Sequence, residues 1–457
     1  MRTTESALQT QIKQVLRAGP YSAAQLVSAL KISQPTLSRT IHQQIGVGAG
    51  AVTTFKVAGD RTPKYALLRP LLLGLNPSQR IYRLLGAGIF ESFAEVEFLY
   101  GGATVERIGG LTRLYEGLPP YMAFAAPSGF LGRQIAREVA RSHPFPGSLR
   151  DWGDDHRIAY LYTRGLNLPG NLVFGDAALQ LEMDSRSARP TAKADTAAHY
   201  VAMAESVRVS AQDSSAGGDQ PKFLATTEDS GHVIVKFAKA GSRMAELLAL
   251  EHLALRSLAE VAVPASTTQL LCTGGYVFLE VQRFDREGRF GRVGMLSAGA
   301  VDDEFFGLRD TWSDFARRCE QAQYLSAVDA HHIHVLAAFS ELIGNNDRHF
   351  ENISMLIGED GEYSRVAPAY DILPMRYAPL GGGLDPPLTP IEPKVGTIGA
   401  KPAVWALAFK AATKFWTAVQ TEVLTVPVSE PMKKLAVTNL AAAQQFVAPL
   451  LPADRAG

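Results

Sequence analysis

Apolar residues recur at helical spacing from the start of the chain, and residues 5–18, ESALQTQIKQVLRA, therefore predict a helix. Gly19-Pro20 ends it, and two further helical stretches follow, AAQLVSAL and QPTLSRTIHQQI, separated by a short turn. Ser22 and Ser33 stand where N-caps are expected, and Pro35 lies in the first turn. AVTTFKVAGDRTPKYALL then predicts two strands around a Gly-Asp turn.

Three helices followed by a strand pair resemble a winged helix-turn-helix domain over residues 1–70. In that family the second helix of the pair enters the major groove, and the strand pair forms the wing. The resemblance implies that the following residues contact bases or phosphates: Gln34, Thr36, Ser38, Arg39, His42, Lys56, Arg61 and Lys64. Small three-helix units also serve as dimerisation or docking modules, and the pattern leaves that alternative open.

The pattern changes after residue 70. PSQRIYRLLGAGI and GFLGRQIAREVARS predict helices, and TVERIGGLTRLYEG and NLVFG predict short strands. Residues 182–200 are polar and predict a linker or an exposed loop, whereas the Ala-rich residues 400–457 predict helices. Residue type alone indicates no catalytic constellation between residues 71 and 180.

Length and composition indicate a globular protein of two or three domains. The 457 residues are too many for one core, and 46% hydrophobic with 20% charged residues is typical of a soluble chain. We find no apolar run that could span a bilayer and no secretion signal at the start, so a cytoplasmic protein is expected. The isolated Cys272 and Cys319 lack metal-ligand spacing and favour a reducing compartment.

Charge is distributed unevenly along the chain, although the formal net charge is zero. Residues 1–70 carry nine Lys or Arg against two acidic residues, a net charge of +7, and the remainder therefore carries −7. A basic segment of this kind favours a polyanionic partner, which supports the DNA-binding interpretation.

Four segments that could carry chemistry follow residue 213. In the first, SSAGGDQPKFLA, small residues and glycines predict a loop whose backbone N–H groups approach phosphates. The expected nucleotide-binding residues there are Gly217, Gly218, Gln220 and Lys222. In the second, HVIVKFA, a strand carries Lys236, which we expect to pair with Glu246 on the next helix and to meet nucleotide phosphates. A lone strand lysine is usually a solvated side chain, and Gly-Gly turns are common.

The third segment, ELIGNNDRHFENISML, gathers polar side chains between two apolar runs. Asp347 and Asn352 are five residues apart, the spacing of a catalytic aspartate and a metal-binding asparagine in protein kinases. The fourth, APAYDILP, places Asp371 after a predicted hairpin, where kinases keep the principal Mg²⁺ ligand. We therefore expect the polar cluster to be a catalytic loop that metal and nucleotide complete.

The order and sequence of these segments resemble the HipA family of serine/threonine kinases, the toxins of HipBA-type toxin–antitoxin systems. The matching stretches are SSAGGDQPK, VIVKFA, VQRFDR, LIGNNDRHFENIS and PAYDILP. The resemblance implies an α+β, two-lobed kinase-like fold that follows the winged helix-turn-helix domain. It also implies ATP, Mg²⁺ and transfer of phosphate to a protein serine or threonine. The expected domains are residues 1–70, 71–285 and 286–457.

The resemblance also implies individual roles. Asp347 would be the catalytic base, Asn352 and Asp371 the metal ligands, and Lys236 the phosphate contact. Glu246 and His349 join the nucleotide site, and Gln282, Arg283 and Phe284 would form a hinge that binds adenine through its backbone. Ser215 stands where the family has an autophosphorylated serine, whose added charge should inactivate the enzyme.

Partners and alternative functions follow from the same resemblance. It indicates aminoacyl-tRNA synthetases as a substrate class to try, and a fused helix-turn-helix makes the need for a separate antitoxin uncertain. A second hypothesis is a DNA-binding regulator whose kinase-like part senses nucleotide without turnover. A third, suggested by the Asp-Arg-His order, is a lipid or small-molecule kinase. No membrane partner is expected, because no basic amphipathic surface is present.

Overall fold

The computed structural model describes residues 2–211, 220–380 and 384–451. The chain forms two compact units, Met1–Pro127 with Ala136–Ala188, and Ser128–Ile135 with Arg189–Gly457. The helices are α1 (Arg2–Leu16), α2 (Ala23–Leu30), α3 (Gln34–His42), α4 (Pro120–Ala125), α5 (Gly129–Ala140), α6 (Asp154–Arg164), α7 (Gly175–Ser185), α8 (Thr196–Ala211), α9 (Arg243–Ala259), α10 (Ala298–Phe305), α11 (Trp312–Gln321), α12 (Ala327–Ile343), α13 (Pro402–Thr421) and α14 (Glu430–Val447). The strands are β1 (Tyr21–Ser22), β2 (Val52–Phe55), β3 (Lys64–Leu67), β4 (Ser78–Leu84), β5 (Phe90–Phe98), β6 (Thr104–Ile108), β7 (Leu111–Tyr115), β8 (Leu172–Phe174), β9 (Lys222–Thr227), β10 (Gly231–Lys239), β11 (Thr268–Thr273), β12 (Tyr276–Gln282), β13 (Arg286–Glu287), β14 (Gly291–Arg292), β15 (Gly294–Ser297), β16 (Ser354–Ile357) and β17 (Tyr363–Val366).

The first 70 residues contain the three helices and the strand pair that the sequence predicts. Both predicted caps are confirmed: Ser22 Oγ accepts from the Gln25 N–H at 3.3 Å, and Ser33 Oγ from the Thr36 N–H at 3.4 Å. The helices pack around a small apolar core that includes Leu26, and the three strands pair in the order β1-β3-β2. Its interpretation as a DNA-binding domain stays a prediction.

The strand pair of this segment is joined to a five-stranded sheet of order β7-β6-β5-β4-β8. Leu68 forms a bridge with Leu99, and Thr53 Oγ1 donates to Glu97 Oε2 at 2.8 Å. Arg107 holds the same Glu97 at 2.9 Å. Because these contacts tie the hairpin to the sheet, the N-terminal segment is built into its unit.

One predicted helix is wrong, because PSQRIYRLLGAGI forms strand β4 between β5 and β8. Ile81, Leu84 and Leu85 are spaced as on a helix, and short apolar runs fit both periods. The neighbouring strands decide the outcome, because they complete the backbone hydrogen bonds of β4. The predicted strands β6, β7 and β8 and the predicted helix α5 are confirmed.

The second unit opens with a sheet of order β11-β12-β10-β9 between two helices. The two faces of β10 pack against different helices. Val233, Val235 and Phe237 pack with residues of α8, whereas Ala238 packs with residues of α9. Because side chains alternate along a strand, Lys236 shares the face of Ala238 and is directed toward α9.

The rest of the second unit is mainly helical, as predicted for the tail. Helices α9 and α11–α14 enclose a core that contains the fully buried Trp405 and Trp416. A small sheet of order β15-β16-β17 adjoins this core and carries the predicted hairpin. The α+β class is thereby confirmed. Within the described part of the chain, no helix combines the length and the apolar character needed to cross a membrane.

Candidate functional site

The centre of the candidate site is a buried lysine held by two carboxylates. Lys236 is 4% exposed, and its Nζ lies 2.6 and 2.8 Å from the two carboxylate oxygens of Glu251. It also forms an ion pair with Asp371. Burial lowers the pKa of Lys236 to about 8, although the charge of Glu251 acts in the opposite direction.

The expected pair of Lys236 with Glu246 is wrong. Glu246 pairs instead with Arg243 and accepts a hydrogen bond from the Ser429 N–H at 2.8 Å. Both glutamates lie on α9, but five residues turn a helix by about 500°, so they occupy different faces. Glu251 is the one on the face that meets β10.

The predicted catalytic loop is braced by its own asparagines. Asn345 is 2% exposed, and its Oδ1 accepts from the Asp347 N–H at 3.1 Å. Asn352 Nδ2 donates to the Asp347 carbonyl oxygen at 2.9 Å. Both asparagines therefore already have hydrogen-bond partners within the loop. This differs from the expectation that metal and nucleotide complete the polar cluster. The Asp347 carboxylate itself remains about half exposed.

A chain of charges runs from the loop to the protein surface. His349 lies between two carboxylates, with Nε2 3.7 Å from Asp347 and Nδ1 3.2 Å from Glu351. Glu351 also binds Arg309 at 2.6 Å. The hydrogen bond to Glu351 raises the pKa of His349, and His349 together with Arg309 lowers the pKa of Glu351 to about 2. The indole Nε1 of Trp312 fixes the loop backbone by donating to the His349 carbonyl at 3.1 Å.

Asp371 occupies a strained backbone conformation beside this loop. Its φ is +54°, in the left-handed region that residues other than glycine rarely adopt. The preceding Tyr370 donates its hydroxyl to the Glu351 carbonyl oxygen at 2.7 Å, and the same hydroxyl lies 2.8 Å from Ser354 Oγ. The segment that carries Asp371 is therefore fixed to the end of the catalytic loop.

The expected hinge is partly engaged within the protein. The Gln282 N–H donates to the Thr267 carbonyl and the Arg283 N–H to the His232 carbonyl, both at 2.9 Å. Those two N–H groups are therefore not directed to an adenine, which corrects that part of the prediction. The Arg283 guanidinium forms a buried two-point contact with Asp285, at 2.8 and 2.9 Å. Phe284 packs against Tyr370 with ring centroids 5.5 Å apart.

Three predicted loop residues, Ser215, Gly217 and Gly218, lie outside the described residues. Gln220 follows them, and its Nε2 donates to the Phe237 carbonyl at 2.6 Å. Lys222 stands opposite Lys236 in the β9–β10 register. Its charge adds to the effect of burial in lowering the pKa of Lys236, and at His349 it partly opposes the increase in pKa that Glu351 causes. Lys222 therefore contributes positive charge between strand and catalytic loop.

The oxygen atoms at the site fit a hard cation such as Mg²⁺. The amide of Asn352 uses its nitrogen on the Asp347 carbonyl, which leaves its oxygen as the atom for a metal. Asp371 supplies carboxylate oxygens, and Mg²⁺ commonly takes one or two protein oxygens together with phosphates and water. Among the described residues, no cluster of three or more His, Cys, Asp or Glu could hold a metal.

The predicted DNA-contacting residues lie in the other unit, and the structure exposes five of them: Gln34, Arg39, His42, Lys56 and Arg61. Thr36 and Ser38 are half-buried, and the Thr36 hydroxyl lies 2.8 Å from Ser33 Oγ. Lys64 is half-buried and pairs with Asp60 at 3.1 Å. Gln34, Arg39 and His42 share α3, so their exposure gives that helix a polar outer surface.

Sequence reasoning missed Glu251, Glu351, Arg309 and Tyr370. The two glutamates on α9 have similar apolar neighbours, so only the facing strand distinguishes Glu251 from Glu246. Arg309 lies 42 residues before Glu351, and no spacing rule connects them. Glu351 lies in the polar segment ELIGNNDRHFENISML. Its position two residues after His349 was the one sequence signal for their contact.

Fold and site together define a mixed α+β protein in which a buried Lys236–Glu251 pair and Asp371 lie beside a polar loop. Residues 214–424 match the family model of the HipA-like C-terminal domain, and residues 75–183 match that of the YjjJ-like toxin, middle domain. The chain is 30% identical to "Toxin YjjJ" of Escherichia coli (strain K12) over 422 residues, 90% of this chain and 92% of the relative.

Among solved structures, one match is HipA in a complex of Shewanella oneidensis MR-1 HipA, HipB and operator DNA. Its TM-score is 0.49 at 14% identity, covering 81% of this chain and 97% of that one. Another is the Helicobacter pylori proinflammatory kinase CtkA, with a TM-score of 0.37 at 11% identity, covering 50% of this chain and 92% of that one. On its likeness to the curated toxin across nine-tenths of its length, the chain belongs to the HipA family of toxins.

Proposed function

We propose that the second unit is an ATP- and Mg²⁺-dependent protein serine/threonine kinase. The observation that carries the proposal is the buried pair of Lys236 with Glu251, together with the ion pair of Lys236 with the partly exposed Asp371. A lysine held in this way can offer its charge to nucleotide phosphates while a carboxylate beside it binds the metal. Membership of the HipA family supports the same activity.

In this proposal the residues have separate roles. Asp347 accepts the proton of the acceptor hydroxyl as its oxygen attacks the γ-phosphorus, and the bond from that phosphorus to the β-phosphate oxygen breaks. Asn352 and Asp371 hold Mg²⁺, which neutralises charge on the phosphates. Lys236 binds phosphate oxygens, and Asn345 and Asn352 fix the backbone that presents Asp347.

Replacement of Asp347 tests the kinase assignment. Asp347→Ala should lower phosphate transfer from labelled ATP by at least ~10²-fold, because a positioned general base contributes that much. The thermal unfolding temperature should hardly change, since the carboxylate is about half exposed. Glu320→Ala, which removes an exposed carboxylate on α11, is the matched control. Transfer at the wild-type rate by the Asp347→Ala protein would disprove the assignment.

Self-inactivation is part of the proposal. Ser215 lies at the start of the matched HipA-like domain, and phosphate there would add close to two negative charges at the expected nucleotide loop. After incubation with Mg²⁺ and ATP, mass spectrometry should find phosphate on Ser215 in the wild-type protein and none in the Asp347→Ala protein. Phosphate on Ser215 in both proteins would mean that another enzyme adds it.

Two kinds of partner complete the proposed function. The acceptor is a protein hydroxyl, with aminoacyl-tRNA synthetases as the class to test first. DNA is the proposed partner of the first unit, supported by the +7 charge of residues 1–70 and by the exposed Arg39 on α3. If DNA is bound but phosphate is never transferred, a nucleotide-sensing regulator becomes the better assignment. A separate antitoxin, typical of this family, is compatible with either outcome.

A further inference from the structure

Two adjoining cavities lie along the catalytic loop and share Glu341, Asn346 and Arg348. The first, of about 550 Å³, reaches Asp347 and His349 and is walled by residues 310–313 and 396–398. The second, of about 480 Å³, continues beside residues 386–394. We call the two together the acceptor groove, because Asp347 opens into it.

The two walls of the first cavity are joined by a side-chain contact. Thr311 Oγ1 lies 2.7 Å from Thr397 Oγ1, which joins the two walls. The contact links residues 310–313 to residues 396–398, the two segments that face Asp347 across the first cavity.

The second cavity carries positive charge that the protein does not neutralise. Glu341 is already used, because it binds Arg348 at 2.6 Å and accepts from the Lys394 N–H at 3.1 Å. Arg376 donates to the neutral hydroxyl of Thr389 at 3.0 Å. In the described part of the chain neither Arg376 nor the Lys394 side chain pairs with a carboxylate, and Glu392 is the one other acid lining this cavity.

We propose that the acceptor groove binds an extended polypeptide whose acceptor residue is flanked by acidic side chains. The acceptor hydroxyl lies at Asp347, and an acidic side chain enters the second cavity beside Arg376 and Lys394. The two cavities adjoin at Glu341, Asn346 and Arg348, so one extended chain can occupy both. The inference rests on the proposed kinase function and adds the substrate class.

Peptide binding to the full-length protein tests this without relying on catalysis. The probes are three fluorescein-labelled peptides of equal length, each with a central serine flanked by glutamates, glutamines or lysines. Fluorescence anisotropy should show the glutamate peptide binding ~2- to 5-fold more tightly than the glutamine peptide, as expected for an exposed ion pair, and less tightly as salt increases. The lysine peptide should bind most weakly.

A substitution that reverses one charge within the groove is the second test. Lys394→Glu should weaken binding of the glutamate peptide at least ~5-fold, whereas Lys410→Glu, an exposed change on α13 outside the groove, should leave it unchanged. Equal affinities for the three peptides, no measurable binding of any, or equal effects of the two substitutions would each overturn the inference.

A wrong acidic-substrate inference can be distinguished from a wrong kinase assignment by measuring phosphate transfer by the wild-type protein. If the protein transfers phosphate but shows no preference among the peptides, the kinase assignment stands and the acidic-substrate inference is wrong. If the glutamate peptide binds selectively but Asp347→Ala does not change transfer, the groove stands as an acidic-peptide site and the kinase assignment is wrong.

Discussion

At the residue scale, the outcome for Lys236 shows how burial selects a partner. The strand places its ammonium on the face toward α9, where Glu251 is 1% exposed and Glu246 is not in reach. A buried charge without a partner is costly, so the pairing with Glu251 holds both side chains in one geometry. The positions of Glu246 and Glu251 along the sequence do not show which of them pairs with Lys236.

Glu251→Gln should impair transfer more than Glu246→Gln. Loss of the Glu251 charge leaves Lys236 poorly positioned, and misplacement of a reactive group by about 1 Å can cost ~10²-fold in rate. Glu246→Gln breaks only the contact with Arg243 and should keep transfer near the wild-type rate. Initial rates with labelled ATP, at matched unfolding temperatures, measure the difference. Equal losses for the two variants would argue against a role for Glu251 at the site.

His334 should make the second unit less stable in acid. Burial, followed by the nearby Lys401, lowers the pKa of His334 from 6.5 to about 4, and Lys401 Nζ lies 2.7 Å from its Nε2. The unfolded chain therefore binds more protons between these values, so stability falls as pH decreases from about 6.5 to about 4.

Unfolding temperatures across this pH range should show a smaller decrease in the His334→Gln protein than in the wild type. Glutamine does not titrate, and its side-chain oxygen can still accept a hydrogen bond from Lys401. His199→Gln, on α8 of the same unit, is the control and should follow the wild-type curve. Parallel curves for all three proteins would show that His334 does not contribute to the acid sensitivity.

At the element scale, a fully buried carboxylate holds the connection between α10 and α11. Asp302 accepts from the N–H groups of Leu308 and Arg309 at 2.7 and 2.8 Å and binds Arg318 at 2.7 Å. The connection carries Arg309, which in turn holds Glu351 beside the catalytic loop. Helix packing and the charge chain at the site are therefore coupled through one aspartate.

Asp302→Ala should lower the free energy of unfolding by about 3 kcal/mol. The substitution leaves the N–H groups of Leu308 and Arg309 without their acceptor. It also removes one of the two carboxylates that bind the mostly buried Arg318, which keeps Asp310. Asp303→Ala removes the neighbouring, exposed carboxylate and should cost less than about 1 kcal/mol. Urea unfolding of the two variants compares them directly, and similar losses would contradict the structural role given to Asp302.

At the scale of the whole molecule, residues 1–70 are basic and the remaining residues are acidic overall. The basic segment belongs to the first unit. The hairpin of that segment is bonded to the five-stranded sheet through Leu68 and Thr53. DNA binding is therefore best measured on the full chain, because an isolated 1–70 fragment would lose these contacts.

Arg39→Ala in the full chain should weaken DNA binding and lower the slope of log affinity against log salt by about 1, the effect of losing one phosphate contact. Arg141→Ala, an exposed change directly after the end of α5, is the control and should leave both quantities unchanged. Binding that does not depend on salt, or equal slopes for Arg39→Ala and wild type, would remove α3 from the interface.

The sequence by itself determined most of the helices and strands, and it predicted the residues of the candidate site. Helical periodicity and the Ser22 and Ser33 caps located the first three helices, because these signals depend on neighbouring residues. Spacing, the order of the segments and the resemblance to HipA kinases together predicted Asp347, Asn352 and Asp371 as one constellation. Roles that depend on the type and order of nearby residues can be predicted in this way.

Only the tertiary structure decided which distant groups meet. It formed β4 where the local pattern favoured a helix, because neighbouring strands complete its backbone hydrogen bonds. It paired Lys236 with Glu251 rather than with Glu246. It directed the N–H groups of Gln282 and Arg283 to carbonyl groups of the protein. It also connected His349 through Glu351 to Arg309. Each of these contacts depends on the faces that packed elements present to one another, and residue order does not encode that relation locally.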